Sequence, residues 1–371
     1  MLMLNILACC GLVMALLSSA IDPRDYRLSV VHSLSFPYVY LLNLLFFGFW
    51  LAKLRWPLFL SLLCLVIGYS DLTSVLRFAR PKPTLIEGPT YRLMNYNVRM
   101  FNRFKWIDRP GVGEDIKTLI EGYAPDILCI QEYHDNKNTP RLGYRTSHLL
   151  ERSDGKTGEL AIFSRFPEVH RGRLTLSGPE ADELRTLIYS DLAIDQDTVR
   201  VVNVHLASLA LGSKQREWME GNTSEDENPE TVKRGLVYAI GRLMRSAQVR
   251  AGEVEVLSAF LADSPHPILL CGDLNDVPVS FAFETIKEAG LSDAFEQVGK
   301  GFGETFAGSP TPLRIDAVFG HPEIRFDRYS VVRAKLSDHY PMVVDFGMVP
   351  KSLPDSEHPP VRSEPDAGRA D

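Results

Sequence analysis

Residues 265–280, PHPILLCGDLNDVPVS, concentrate groups capable of chemistry. The apolar run Ile268, Leu269, Leu270, Cys271 stops at Gly272, and Asp273, Asn275 and Asp276 follow within four residues before Pro278 bars continuation. A buried strand that ends in a carboxylate, a carboxamide and a second carboxylate suits chemistry on metal ions or phosphates. The strand gives rigidity, Gly272 lets the backbone turn, and the polar groups project toward solvent and substrate. The same residue types also make an Asx-rich turn, favoured for local backbone reasons. The stretch alone leaves both readings open.

Other apolar runs end in the same way. A strand is expected at 91–97, closing on Asn97 and followed by Arg99. Ile116, Leu119 and Ile120 recur at helical spacing within 113–123, Pro125 stops that helix, and 127–131 is a buried strand with Glu132 at its end. This strand–helix–strand unit carries polar residues at both strand ends, where sites in α/β sheets are usually built. Further strands are expected at 160–164, 187–194 and 200–205, and alternation in the last puts Asn203 and His205 on one face. The acidic stretch 212–231 reads as a surface loop. A long helix starts at Asn228-Pro229 and runs to about residue 262, with Val232, Leu236, Ile240, Leu243, Ala247, Ala251, Val254, Leu257 and Leu261 at three- and four-residue intervals on its apolar stripe. A short helix at 281–289, a Gly/Pro-rich loop at 302–312, a strand at 313–319 containing Asp316, a segment at 325–333 and a final strand at 342–346 complete the domain. Ser337-Asp338-His339 precedes the final strand. Residues 348–371 hold five prolines and alternating charges, the composition of a disordered tail.

Asn97, Glu132, His205, Asp273, Asn275, Asp316, Asp338 and His339 thus end or interrupt separate apolar strands. The segments NYNVR (95–99), DILCIQE (126–132), NVHL (203–206), CGDLND (271–276), RIDAV (314–318) and SDHYP (337–341), in this order, resemble the endonuclease/exonuclease/phosphatase superfamily. The resemblance covers about residues 90–347. It implies an α/β four-layered sandwich, two mixed sheets face to face with helices outside, and hydrolysis of a phosphoester assisted by a divalent metal.

Phosphodiester cleavage needs a cation on the phosphoryl oxygens, an activated water and relief of leaving-group charge. Mg²⁺ keeps several waters and takes few protein carboxylates, so Glu132 with Asp338 or Asn97 makes a reasonable site, with Mn²⁺ as the alternative metal. Asp273 is the candidate to orient or deprotonate the attacking water, and Asn275, with Asn97 and Arg99, to hold the phosphate. His339 is the candidate for phosphoryl hydrogen bonding or general acid–base work. Asp316 is expected to pair with His339, fix its tautomer and raise its pKa. The resemblance gives His205 a contact to the same phosphate from the opposite side. Arg185 is a further phosphate candidate, and Asp276 is assigned to the turn.

The N-terminal part is of another kind. Residues 1–21, 28–52 and 56–70 contain no Asp, Glu, Lys or Arg. A bilayer span needs about 20 residues, and Tyr38, Tyr40, Trp50 and Trp56 lie near run ends as interfacial aromatics do. A three-helix transmembrane region is expected, with spans at about 2–20, 34–52 and 56–74, the last two forming a hairpin around Lys53 and Arg55. A linker follows at 77–89. A cleaved signal peptide at 1–20 is the narrower alternative, weakened by an n-region without Lys or Arg. The protein is therefore expected in a membrane, a bacterial inner membrane by type, and Arg24, Arg27, Arg77, Arg80 and Lys82 favour a cytoplasmic catalytic domain.

Five cysteines show neither zinc-site nor disulfide spacing, and Cys129 and Cys271 read as small core hydrophobes. Residues 81–371 carry 34 Lys/Arg against 44 Asp/Glu. That balance opposes tight duplex binding, which uses a basic face. The expected partners are a phosphoester substrate, either a lipid headgroup or a nucleic acid, and the lipid bilayer; no protein partner is expected. A membrane scaffold of the same fold without activity is the reading from another class.

Overall fold

The computed structural model describes residues 1–79, 88–135, 139–151, 157–176, 185–208, 229–307 and 312–350. Most of the acidic stretch at 212–231, the middle of the linker and nearly all of the C-terminal tail lie outside these residues. Among the described residues, twelve strands form two mixed sheets. The strands are β1 (Tyr91–Asn97), β2 (Ile127–His134), β3 (Thr146–Glu151), β4 (Thr157–Ser164), β5 (Glu168–Thr175), β6 (Thr186–Ile194), β7 (Asp197–His205), β8 (Ile268–Asp273), β9 (Ser292–Asp293), β10 (Asp316–Gly320), β11 (Ile324–Val331) and β12 (Met342–Met348). One sheet runs β11-β12-β1-β2-β4-β3 and the other β5-β6-β7-β8-β10-β9.

Alternation along each strand sends one set of side chains between the sheets and the other outward. Leu93, Ile127, Cys129, Val201, Leu269, Cys271 and Val318 belong to the inter-sheet core. Met94, Tyr96, Leu128 and Ile130 point the other way and meet Val112, Ile116 and Ile120 of the amphipathic helix Val112–Tyr123. On the second sheet Val202, Val204, Leu270 and Phe319 meet Val254, Leu257 and Leu261 of the helix Pro229–Ala262, and Phe283 and Ile286 of the helix Phe281–Glu288. Helix, sheet, sheet, helix is the four-layered α/β sandwich expected, and Cys129 and Cys271 are core hydrophobes within it.

The strands at 146–151 and 168–175 were not legible in the sequence. The second, EVHRGRLT, is an edge strand of largely exposed residues and shows no apolar run. Gly272 also has a different role from the one expected. It lies within β8 opposite Val204, and a Cβ there would sit 2.1 Å from the Val204 carbonyl oxygen, so the glycine permits the close approach of β7 and β8.

The N-terminal region, numbered α1 to α4 in chain order, comprises α1 (Leu2–Leu17), α2 (Ser29–Ala52), α3 (Leu58–Ile67) and α4 (Tyr69–Val75). The three expected spans reduce to one helix that meets the requirement by itself, α2. Its 24 residues extend about 36 Å at 1.5 Å each, against a hydrocarbon core of about 30 Å. The 16 residues of α1 reach only about 24 Å, because residues 18–20 leave the helix. α3 and α4 bend by 57° at Gly68 and qualify only if taken together as one broken span. Freedom from charge measured the length of sequence, not of continuous helix.

Candidate active site

The inter-sheet layer changes character along its length. Beyond the apolar core comes a plane of amides. Gln131 Nε2 donates to Asn95 Oδ1 and Asn203 Oδ1, both at 2.7 Å, and Asn203 Nδ2 donates to the carbonyls of Ile130 and Ala161 at 2.9 Å. These bonds tie β1, β2, β4 and β7 together across the two sheets. One strand position further lie the titratable groups. Parallel pairing aligns His205 with Asp273, antiparallel pairing aligns Asp316 with Asp273, and Asn97 aligns with Gln131. Pairing register therefore brings residues from five strands to one end of the sandwich.

Glu132 joins them through a β-bulge. The β2–β4 register shifts between Gln131 and Tyr133, and Glu132 adopts φ 51°. Regular alternation would send Glu132 to the outer face with Leu128 and Ile130. The bulge inserts it as an extra residue, leaves Tyr133 in the outer core and turns the carboxylate toward Asn97.

Asp273 is the centre of the arrangement. Its Oδ2 accepts from Asn97 Nδ2 at 3.1 Å and lies 3.6 Å from His339 Nε2 and 3.7 Å from His205 Nε2. Its Oδ1 accepts from the Asn275 backbone N–H at 3.0 Å. Asn97 Nδ2 also donates to Glu132 Oε1 at 3.2 Å, so one carboxamide links two carboxylates, while its Oδ1 accepts from the Arg99 N–H at 3.1 Å. Asn275 Nδ2 donates to the Leu206 carbonyl at 3.0 Å, tying the turn after β8 to the end of β7.

His339 Nδ1 lies 2.8 Å from Asp316 Oδ2, the pairing expected from the sequence. Burial opposes the imidazolium, but Asp316, Asp273, the hydrogen bond to Asp316 and Asp338 outweigh it and raise the pKa to about 10. His205 moves the other way: burial pushes its pKa down, and Asp273 opposes that only in part. The two imidazoles beside Asp273 are thus shifted in opposite directions. Burial raises the Asp273 pKa, as does Asp316, while the histidines and Asn97 oppose the rise. Ser337 Oγ donates to the Asn97 carbonyl at 2.8 Å, holding the Ser337–His339 segment against the end of β1.

The Glu132 pKa is also raised, first by burial and then by the nearby Asp338, with Asn97, His339 and Arg99 opposing. Glu132, which takes a hydrogen bond from Asn97, and Asp338, paired with Arg99, supply carboxylate oxygens of the kind a divalent cation takes together with water. A second group of donors, Asp273, Asp316 and His339, also lies close enough to share an ion. Both groups are already engaged within the fold, His339 with Asp316 at 2.8 Å and Asp338 with Arg99 at 3.1 Å. Asp316 Oδ1 is buried and has no hydrogen-bond partner among the described residues.

Arg99 reaches Asp338 at 3.1 Å and stacks its guanidinium 4.3 Å from the Trp106 ring centroid. It sits at the start of four consecutive residues with positive φ, Arg99 to Asn102, at 44°, 54°, 52° and 59°. Such a left-handed run costs on the order of 1–2 kcal/mol per residue for L-amino acids, and strain of this kind persists where surrounding structure enforces it. Asn102 closes the following loop by bonding Ile107 through both its amide atoms. A cavity of about 240 Å³ opens here beside Asp338, with Trp106, Ile107, Lys335 and Leu336 in its lining.

Arg185 stands on the His205 side of the site, where its charge adds to the lowering of the His205 pKa by burial. It lies between Glu159, at 3.8 Å, and Glu253, at 3.5 Å. Glu253 and Arg250 were not singled out from the sequence. They are on the helix Pro229–Ala262 and form a buried clamp. Arg250 donates to Asp276 at 3.0 Å and to the Ala207 carbonyl at 2.9 Å, and Glu253 accepts from the Ala207 N–H at 2.8 Å. Asp276 therefore anchors the turn by a buried ion pair. The available signal was an Arg and a Glu set within the stripe of Ala247, Ala251, Val254 and Leu257. Arg250→Ala would leave Asp276 buried without its partner. The expected loss of stability is about 3–5 kcal/mol, measured by denaturant unfolding, whereas a solvated pair would give under about 1 kcal/mol.

A family model described as the Endonuclease/Exonuclease/phosphatase family matches residues 94–339. A second, for a domain of unknown function, matches residues 1–75. Similar solved structures include an endonuclease/exonuclease/phosphatase family protein from Bacteroides thetaiotaomicron, with 19% identity and a TM-score of 0.52, covering 70% of this chain and 96% of that one. A mannosyl-6-phosphatase from the same organism matches at 20% identity and a TM-score of 0.52, covering 70% and 100%. A family protein from Bacteroides vulgatus matches at 18% identity and a TM-score of 0.53, covering 70% and 100%. At these identities the likeness is one of fold. No curated protein sequence matches.

Proposed function

Because this chain belongs to the endonuclease/exonuclease/phosphatase family, we propose that it is a metal-dependent phosphodiesterase, attached to a bilayer by its N-terminal helices, that acts on a lipid headgroup. The observation that carries the chemistry is the convergence of Glu132, Asp273, Asp316, Asp338, His205 and His339 at one end of the inter-sheet layer. Glu132 and Asp338 would hold Mg²⁺, or Mn²⁺, with Asn97 beside them. When bound, such a cation draws charge from the phosphoryl oxygens.

The other residues carry the proton transfers. Asp273, fixed by Asn97 and by the Asn275 amide, takes a proton from the attacking water. The imidazolium of His339, held by Asp316, donates from Nε2 to a phosphoryl oxygen or to the departing alcohol oxygen. His205 contacts the phosphate from the opposite side of Asp273. Asn275 and Arg99 hold the phosphate at the rim.

The preference for a lipid rests on two features. Leu41, Leu42, Leu44, Leu45, Phe49 and Leu51 leave the second half of α2 apolar and exposed, beyond what a soluble surface carries. The chain after residue 80 is also acidic overall. A nuclease is the second reading, favoured by the exposed Phe104 and Trp106 among Arg99, Arg103, Lys105 and Lys335 near the cleft, the mixture of aromatics and cations that binds single strands. The test compares full-length protein on sphingomyelin or phosphoinositide vesicles and on plasmid DNA with Mg²⁺. Cleavage of vesicle lipid that disappears in Glu132→Ala is expected. Rapid DNA nicking lost in the same variant, with lipid untouched, would overturn the lipid assignment.

A further inference from the structure

The N-terminal helices touch the segments on which the catalytic carboxylates are mounted. Val279, six residues after Asp273, is 2% exposed and lies in the apolar core of those helices with Leu12, Ala15, Phe36, Tyr40, Cys64 and Leu65. Arg314, two residues before Asp316, is buried and donates from Nη2 to the Ser74 carbonyl of α4 at 3.0 Å and to Asp293 at 2.7 Å. Its guanidinium packs 4.6 Å from the Phe295 ring and 5.2 Å from Phe283.

Arg77 and Gly301 exchange two backbone hydrogen bonds, at 2.9 and 2.7 Å. Four residues on, Thr305 Oγ1 accepts from the Ile315 and Asp316 amides, both at 3.1 Å. The Leu274 N–H donates to the Ile315 carbonyl at 2.9 Å, which joins the two carboxylate-bearing segments to each other. Arg24, between α1 and α2, bonds Glu255 on the helix that carries the Arg250–Glu253 clamp.

A flexible tether needs none of these contacts. Two of them are buried and reach the chain within six residues of Asp273 or Asp316. The helix α2 follows the same division: Ser29, Val30, Ser33 and Phe36 are buried, while Leu41, Leu42, Leu44, Leu45, Phe49 and Leu51 are exposed. We propose that the N-terminal helical unit is a positioning part of the active site, holding the turn after Asp273 and the approach to Asp316 in register, so that loosening it lowers turnover and not substrate binding. The activity part of this inference rests on the catalytic reading of Asp273 and Asp316; the docking part does not.

The test uses the full chain with a specific protease site placed within residues 80–87, cleaved after purification in mild detergent. Residues 1–79 are expected to remain bound to the catalytic part on size exclusion. In the uncleaved chain, Phe36→Ala is expected to speed hydrogen exchange at the Leu274 and Asn275 amides about tenfold while leaving β12 unchanged. It should lower kcat about tenfold or more with KM within about twofold, and Phe36→Leu should restore most of both. Should Phe36→Ala fail to fold, Val279→Ala gives the same readouts from the other side of the contact. Separation of the two parts on cleavage, or unchanged exchange at Leu274 and Asn275, overturns the proposal whatever the substrate proves to be. Altered exchange with no phosphoester turnover in the wild type would instead count against the catalytic reading.

Discussion

Asp273→Asn is expected to lower kcat by about 10³-fold with little change in stability. The carboxylate is 1% exposed and sits between two imidazoles. The carboxamide has nearly the same shape and keeps an oxygen for the Asn275 N–H. It cannot accept a proton from water. Burial and Asp316 raise the pKa of Asp273 in the fold, and a carboxyl raised above its unfolded value lowers stability as pH climbs past that unfolded value. A neutral isostere removes this liability but turns its Nδ2 toward the Asn97 Nδ2 donor and gives up the attraction to His339, so thermal unfolding at neutral pH should shift little or downward. Steady-state kinetics beside a melting curve separate the two effects. Activity within about tenfold of wild type would mean that Asp273 does not take the proton.

The second large effect is expected at His339. His339→Gln keeps a hydrogen-bond donor but removes the transferable proton, and should cost about 10²–10⁴-fold in kcat. The pH behaviour identifies the cause. The imidazolium is stabilised to about pH 10 by Asp316 and Asp273 against the cost of burial. A histidine raised in this way contributes stability that is fully present below its unfolded pKa of about 6.5 and is lost as pH rises through about 10. In metal-free protein, an NMR titration of the His339 ring should therefore show it protonated through neutral pH. Asp316→Asn removes the first-named attraction and should bring the midpoint down. A midpoint near the ordinary histidine value in the wild type would contradict the role given to Asp316.

Much of this arrangement was legible because each candidate group ends, opens or closely precedes a strand that must itself be buried. A run such as ILLC followed by GD has few ways to sit in a sandwich, and six such runs supplied both the layers and the residues that cap them. What could not be read were relationships between segments. Glu132 was legible as a strand end, but the bulge that turns it toward Asn97 depends on pairing with β4. Arg250 and Glu253 were hidden because only packing decides which charged residues of a helix face inward. The edge strand at 168–175 has no buried run to betray it. The membrane count failed at Gly68 and Ser18 for a similar reason: hydropathy is summed along the sequence, whereas spanning requires uninterrupted helix.

The docking of the N-terminal helices was likewise invisible. Ser74 contributes only a backbone carbonyl, and Val279 is one valine among many, yet together with Arg314 they connect the helices to the carboxylate-bearing segments. The chain joins its N-terminal helices to the family domain through buried contacts as well as through sequence.

The most direct test of the catalytic account is a titration of full-length protein with Mn²⁺, followed by calorimetry and by the electron paramagnetic resonance signal of the free ion. Saturable binding at a single site that competes with Mg²⁺ is expected, weakened about 10-fold or more in Glu132→Gln and in Asp338→Asn, with phosphoester hydrolysis rising in step with occupancy. Hydrolysis that persists undiminished in chelator, or Mn²⁺ binding unaffected by either substitution, would contradict it.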